Sequence, residues 1–376
     1  MKRCFAAFTL TLLLLGMTGC GWIKDEYTSV AEHKEPYVYT EPGEEDTIPA
    51  ADNANVLKNR IFAFVRSSVS RGQIDVTGYS GDVRTEIIEI LEELKANPIY
   101  AYAVDYFDYE FFTDEAGEKT LLEIRMVLRR SSEQIAAIIN VGSVENAQTR
   151  AAEALESMEA ALTMKVSDYT ETDFAAAIRR YCLENPTLTA ELPEVSVQVY
   201  PEEGSTRIVE LHFGYSVSRE QLRGRRSSVE TTLSSAAHLV HADDQPDCLK
   251  LVCAYLLGRN AYTPTQTQIS PVYQLLNQQQ AGDAGFASAA NYLFNACGVE
   301  CYLVLGEKNE APYAWNIVCI NGQYYHLDLM QQWENGIQDP VLLYDTQRAG
   351  YIWNTDEYPA CPEPTPDEEG GQTQQP

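Results

Sequence analysis

Apolar positions recur at two spacings along this chain, and the changes of spacing mark its elements. Within residues 83–94, Ile87, Ile88, Ile90, Leu91 and Leu94 keep helical spacing. Ser80 or Asp82 can cap that helix, and Pro98 turns Asn97 away from helical geometry. Residues 104–112 and 121–128 read as strands, and Asp114-Glu-Ala-Gly117 between them predicts a hairpin turn. Residues 195–199 and 208–215 flank Glu202-Glu-Gly204 in the same way. Ser132-Glu-Gln134 and Ser218-Arg-Glu220 then open helices expected to run to about Met164 and about Leu239.

These elements repeat. Residues 122–134 align with 209–221 at an offset of 87, sharing Glu and Gln at matched places. Upstream, Leu94 to Pro98 aligns with Cys182 to Pro186, each segment ending in Asn-Pro. The reading is an α+β chain with two α-β-β-α units, at residues 54–166 and 167–243.

The last third has a different pattern. Residues 247–257 read as a helix, and Ala290, Leu293, Phe294 and Cys297 lie on another that Gly298 stops. Residues 300–306 form a buried apolar strand, and residues 314–320 a second. Asn321-Gly322 turns the second into 323–329, a strong hairpin signal. The pattern predicts a helix with its N-terminus toward two or three antiparallel strands, over residues 244–361.

Composition narrows the function. The 376 residues carry 27 Lys and Arg against 55 Asp and Glu, a net charge of −28. Such a chain repels nucleic acid and anionic surfaces, so no nucleic-acid partner is expected. No apolar run reaches the ~18 residues of a membrane span. Residues 21–53 hold nine acids and three prolines without apolar periodicity, and with Cys20 they read as an extended acidic tether, 20–53. Residues 362–376 read as a disordered acidic tail.

The first 20 residues explain the tether. Lys2 and Arg3 precede 13 apolar-rich residues, Phe5 to Met17, too few to span a bilayer. Met17-Thr-Gly-Cys20 resembles the lipobox of bacterial lipoprotein signals. The resemblance implies cleavage after residue 19, diacylglycerol on Cys20 and a lipid anchor at the outer face of the bacterial cytoplasmic membrane.

Residues 244–361 resemble the transglutaminase-like family, which is related to papain-type cysteine proteases. The segments that carry the resemblance are Gly282 to Ala287, Gly306, Tyr313-Ala-Trp315-Asn316, Tyr324-Tyr-His-Leu-Asp328, Tyr351-Ile-Trp-Asn354 and Tyr358-Pro-Ala-Cys361. In that family the first segment supplies a Cys nucleophile, the third a His and the fourth an Asp. Here those places hold Asp283, Tyr313 and Asp328, so one of three roles is kept. Asp283 is expected to cap its helix and hydrogen-bond Tyr313, while Trp315, Tyr325 and Asn316 are expected to line a cleft. The resemblance then implies a non-catalytic domain that binds a peptide, protein or cell-wall glycan.

The rival expectation is a hydrolase with a relocated nucleophile, drawn from Cys248, Cys253, Cys297, Cys301 or Cys319 with His241 or His326. No Cys/His cluster stands at ligand spacing, so neither a metal nor a cofactor is expected. Seven cysteines remain beyond Cys20, and their pairing is not legible in the sequence.

Overall fold

Side-chain caps start most of the helices. In this computed structural model, which describes residues 48–189, 191–259 and 269–364, Asn53 accepts from the Val56 amide to open α1 (Ala54–Arg66). Asp82 does the same for α2 (Val83–Lys95), and Asn97 for α3 (Pro98–Ala103). The signal segment, Cys20 and most of the tether lie outside the described residues, as does most of the tail.

The first sheet has the order β1-β3-β2, with strands Arg71–Asp75, Thr120–Leu128 and Val104–Thr113, all antiparallel. Leu57 and Ile61 from α1, Ile87 from α2, Ile74 from β1 and Leu122 and Ile124 from β3 fill the core on one face. Ala50 and Ala51 belong to this fold rather than to the tether. Ala50 bridges Asp75, and Ala51 is buried.

A capping box between Ser131 and Gln134 opens α4 (Ser132–Ala136), which ends after five residues. The helix expected to continue to about Met164 is instead β4 (Ile139–Ser143), α5 (Val144–Glu156) and β5 (Ala161–Asp168). The physical reason is period. Leu162, Met164 and Val166 are buried at alternate positions, a strand repeat that no helix face could collect. Ser143 caps a new helix that buries Ala147, Ala151 and Leu155.

β5 is an inner strand of the second sheet, whose order is β4-β5-β7-β6. β6 is Glu194–Tyr200 and β7 Arg207–Gly214; β4 and β5 are parallel and the other pairings antiparallel. The boundary expected at 166/167 therefore falls at the end of a strand bound into the second sheet. Helix α6 (Phe174–Glu184) covers this sheet. A second capping box, Ser218 with Gln221, opens α7 (Arg219–Val240).

α7 crosses the boundary expected at 243/244. Its Val229, Leu233, Ala236 and Val240 share one core with α8 (Gln245–Leu257), α9 (Pro271–Asn277) and α10 (Asp283–Ala296). α10 lies on a third antiparallel sheet of order β10-β9-β8-β11, with β8 Cys301–Lys308, β9 Ala311–Ile320, β10 Gln323–Leu327 and β11 Tyr351–Ile352. Asn321 and Gly322, both at positive φ, make the β9–β10 turn. α11 (Leu329–Glu334) follows β10. From Pro49 onward the chain is one compact unit.

Candidate functional site

The N-terminus of α10 meets the sheet where Asp283, Tyr313 and Asp328 come together. Gly282 is the N-cap of α10, and no side chain caps it. Asp283, one residue further on, turns its carboxylate to β9 and accepts the Ala314 amide at 2.8 Å. The expected capping role therefore belongs to a backbone position, and Asp283 acts as an acceptor across the helix–sheet junction. Burial pushes its carboxyl above the usual carboxylate range, while the amides of Ala314, Ala284 and Asp283 itself pull it back.

Tyr313 does not hydrogen-bond Asp283 as expected. Its hydroxyl donates to Asp328 Oδ1 at 3.0 Å. Burial, then the neighbouring Asp328 carboxylate, drives the Tyr313 pKa far above its ordinary value. The phenol is thus a fixed donor and cannot accept a proton from a nucleophile at neutral pH.

Asp328 is the most heavily engaged of the three. It caps α11 by accepting the Gln331 amide at 2.9 Å, and its Oδ2 accepts from Tyr351 at 2.7 Å and Arg348 Nη2 at 3.4 Å. Lys308 Nζ lies 4.0 Å away. Arg348 is buried and stacks on Tyr351, its guanidinium carbon 3.4 Å from the ring centre. Lys308 lies over the Tyr313 ring at 4.5 Å. Arg348 and Lys308 were not legible as site residues in the sequence. Both lie outside the segments around the three triad positions and arrive only through the pairing of β8 and β11.

Two residues expected to line a cleft are core residues. Trp315 is 1% exposed and Asn316 1%. Successive strand residues face opposite sides, so Trp315 packs with Ile317 and Tyr358 while Asn316 faces α10. Asn316 Nδ2 donates to the Ala287 carbonyl at 2.9 Å. Tyr325 pairs with Val318 and lies on that opposite side, where its ring meets Tyr344. These aromatics therefore do not form one binding cleft. A groove of about 700 Å³ lies elsewhere, between α5 and α6, floored by Ala151, Leu155 and Phe174 and edged by Glu153, Glu184 and Glu357.

The fold also assembles a group that chain spacing does not reveal. Donor atoms of His326, Asp345 and Cys361 lie within 4.8 Å of one another. His326 Nδ1 accepts the Trp315 indole N–H at 3.0 Å, so its proton sits on Nε2, which donates to Asp345 Oδ1 at 2.8 Å. A metal ion on Nε2 would require both ring nitrogens to be unprotonated. The trio is satisfied as a hydrogen-bonded Trp–His–Asp chain, and Asp345 Oδ2 accepts the Cys361 amide at 2.8 Å. Burial lowers the His326 pKa, in keeping with the neutral ring.

The thiols offer no activated nucleophile. Burial pushes Cys182, Cys253 and Cys361 up to about 12 and Cys297 up to about 11, and raises Cys301 as well. His326, the ring nearest Cys361, has both nitrogens engaged by Trp315 and Asp345.

No family model and no curated protein matches this chain. Among solved structures it is similar to a TGase, at 16% identity and TM-score 0.24, over 45% of this chain and 50% of that one. It is also similar to a proposed cysteine protease from Cytophaga hutchinsonii, at 10% identity and TM-score 0.25, over 43% and 70%. A third is a proposed protease from Parabacteroides distasonis, at 8% identity and TM-score 0.22, over 57% and 52%. The chain spans about half the length of the first and third of these. Likeness at this level identifies no activity for the chain.

Proposed function

We propose that this chain is a lipid-anchored protein of the outer face of the bacterial cytoplasmic membrane whose transglutaminase-like domain binds or scaffolds without catalysis. The observation that carries the reading is the state of Asp283 and Tyr313. The first has its carboxylate held by the Ala314 amide, and the second donates its hydroxyl to Asp328. An amide-cleaving or amide-transferring site needs a nucleophile and a base at those two places. Members of such a site act as a unit, so the retained Asp328 supplies no partial activity. The ligand is a peptide, protein or cell-wall glycan. The groove between α5 and α6 offers it more room than the packed aromatic residues around Trp315. The anchor is Cys20, held away from the folded unit by the acidic tether.

One experiment with two readouts tests this. The parent protein and a Cys20→Ala variant are expressed in a bacterial host, fractionated, and assayed for turnover of amide substrates. The parent partitions with the membrane, the variant does not, and both show background turnover. Turnover in the parent that survives Asp283→Ala and is lost with one of the cysteines establishes a relocated active site and overturns the non-catalytic reading. Equal partition of parent and variant overturns the anchor.

A further inference from the structure

Two cysteines from distant parts of the sequence meet at the junction of α7 and α8. Cys248 lies in the first turns of α8 and is buried. Its thiol points to the Ala242 carbonyl, with Sγ 3.5 Å from the oxygen. Cys297 is the residue that ends α10, and its Sγ is 3.5 Å from the Val240 carbonyl. The two carbonyls are two residues apart in the short stretch that joins α7 to α8. The thiols aimed at them are within hydrogen-bonding reach of each other.

We propose that Cys248 and Cys297 form a disulfide that ties the start of α8 to the end of α10. Backbone adjustment is available at the right place. Cys297 sits outside the helical ladder and is followed by Gly298 at φ +76°, so it can move to disulfide geometry without unwinding α10. Cys248 is held more firmly, inside α8.

The chemistry is thiol–disulfide exchange with an external disulfide, of the glutathione disulfide class. The half-buried Cys297, as thiolate, attacks one sulfur of the external disulfide and releases one external thiolate. The Cys248 thiolate then attacks Cys297 Sγ in the mixed disulfide and releases the second. Two protein thiols lose two electrons, the external disulfide gains them, and the two thiol protons end on the two released thiols. With its pKa pushed to about 11, Cys297 is rarely a thiolate at neutral pH, so the folded chain oxidises slowly. Cys182, Cys253, Cys301, Cys319 and Cys361 stay as thiols. Cys253 and Cys301 also lie close to one another in this core and serve as the internal comparison.

The test uses the full chain, reduced, unfolded and refolded in a mixture of glutathione and glutathione disulfide. The buffer supplies the oxidant, so the result does not depend on where the protein resides or on whether it is anchored. Alkylation under denaturing conditions should add two fewer labels before reduction than after, and digestion should yield one linked peptide pair containing Cys248 and Cys297. Cys253→Ser should keep the link, and Cys297→Ser should abolish it and equalise the label counts. Oxidation of the already folded chain should quicken about tenfold per pH unit between 7 and 9, following the thiolate fraction. Should Cys297→Ser fail to fold, the linked peptide of the parent decides. Equal label counts in the refolded parent, or a link through Cys253 and Cys301 with Cys248 and Cys297 free, overturns the proposal.

Discussion

Asp283 shows what a single residue does when it inherits a place built for other chemistry. A helix N-terminus favours negative charge, yet here burial outweighs it and raises the carboxyl pKa. The sign follows directly. A carboxyl whose folded-state pKa exceeds its unfolded value binds more protons when folded, so its contribution to stability is lost as pH rises through the interval above 3.8. Asp283→Asn keeps an oxygen for the Ala314 amide and removes the buried charge. The variant should be as stable as the parent or more so at pH 7, with the difference vanishing near pH 4, as read by thermal melts across that range. A variant less stable than the parent at pH 7 would mean that the anion is held favourably. Asp328 is the opposite case. Four side-chain and backbone donors converge on it, so its conserved place in the triad order serves structure here.

At the scale of elements, the site depends on how closely β8, β9 and β11 approach. Gly306 pairs with Tyr313 in the β8–β9 ladder. A Cβ on it would stand 2.3 Å from the Ile352 carbonyl oxygen of β11 and 2.8 Å from Trp315. β11 brings Tyr351 to Asp328, with Arg348 just before it. Gly306→Ala should therefore displace β11 and lower stability by about 1–3 kcal/mol, as an overpacked core does. Chemical denaturation measures the loss, and a near-UV aromatic signal should change with it. A variant with the parent's stability would show that β11 is free to shift. Caps and turns at this scale were legible in the sequence: Asp82, Asn97, Ser131, Ser218 and the Asn321-Gly322 turn all stand where the residues predicted. The stretch from 139 to 168 was not legible, because the alternation of Leu162, Met164 and Val166 was subsumed into one long expected helix.

The molecule as a whole is less divisible than its sequence suggested. α7 follows the second hairpin yet packs in the core of α8, α9 and α10. α6 is bound to α10, since the Ser288 hydroxyl donates to the Leu183 carbonyl. Arg130, beyond the first sheet, pairs with the buried Glu210 of the second. With such links, the chain should unfold in one transition in which calorimetric and van't Hoff enthalpies agree. Leu233→Ala, in α7 and fully buried, should cost about 2–5 kcal/mol and move that whole transition downward. Splitting into two transitions would show that the C-terminal part melts on its own.

Much of the local structure follows from the sequence alone: the helix caps, the two hairpins, the order of Asp283, Tyr313 and Asp328, and the likeness of the two helix–hairpin segments. Those features depend on neighbours within a few residues, where side-chain hydrogen bonds and spacing act directly. The tertiary structure decided which side of the sheet Trp315 and Tyr325 take, that Arg348 and Lys308 close around Asp328, and that Cys248 meets Cys297. Each of these depends on the register of paired strands or on helices brought together from distant positions. A one-residue shift in register turns every side chain of a strand to the other face, and the spacing of residues along the chain does not encode that choice.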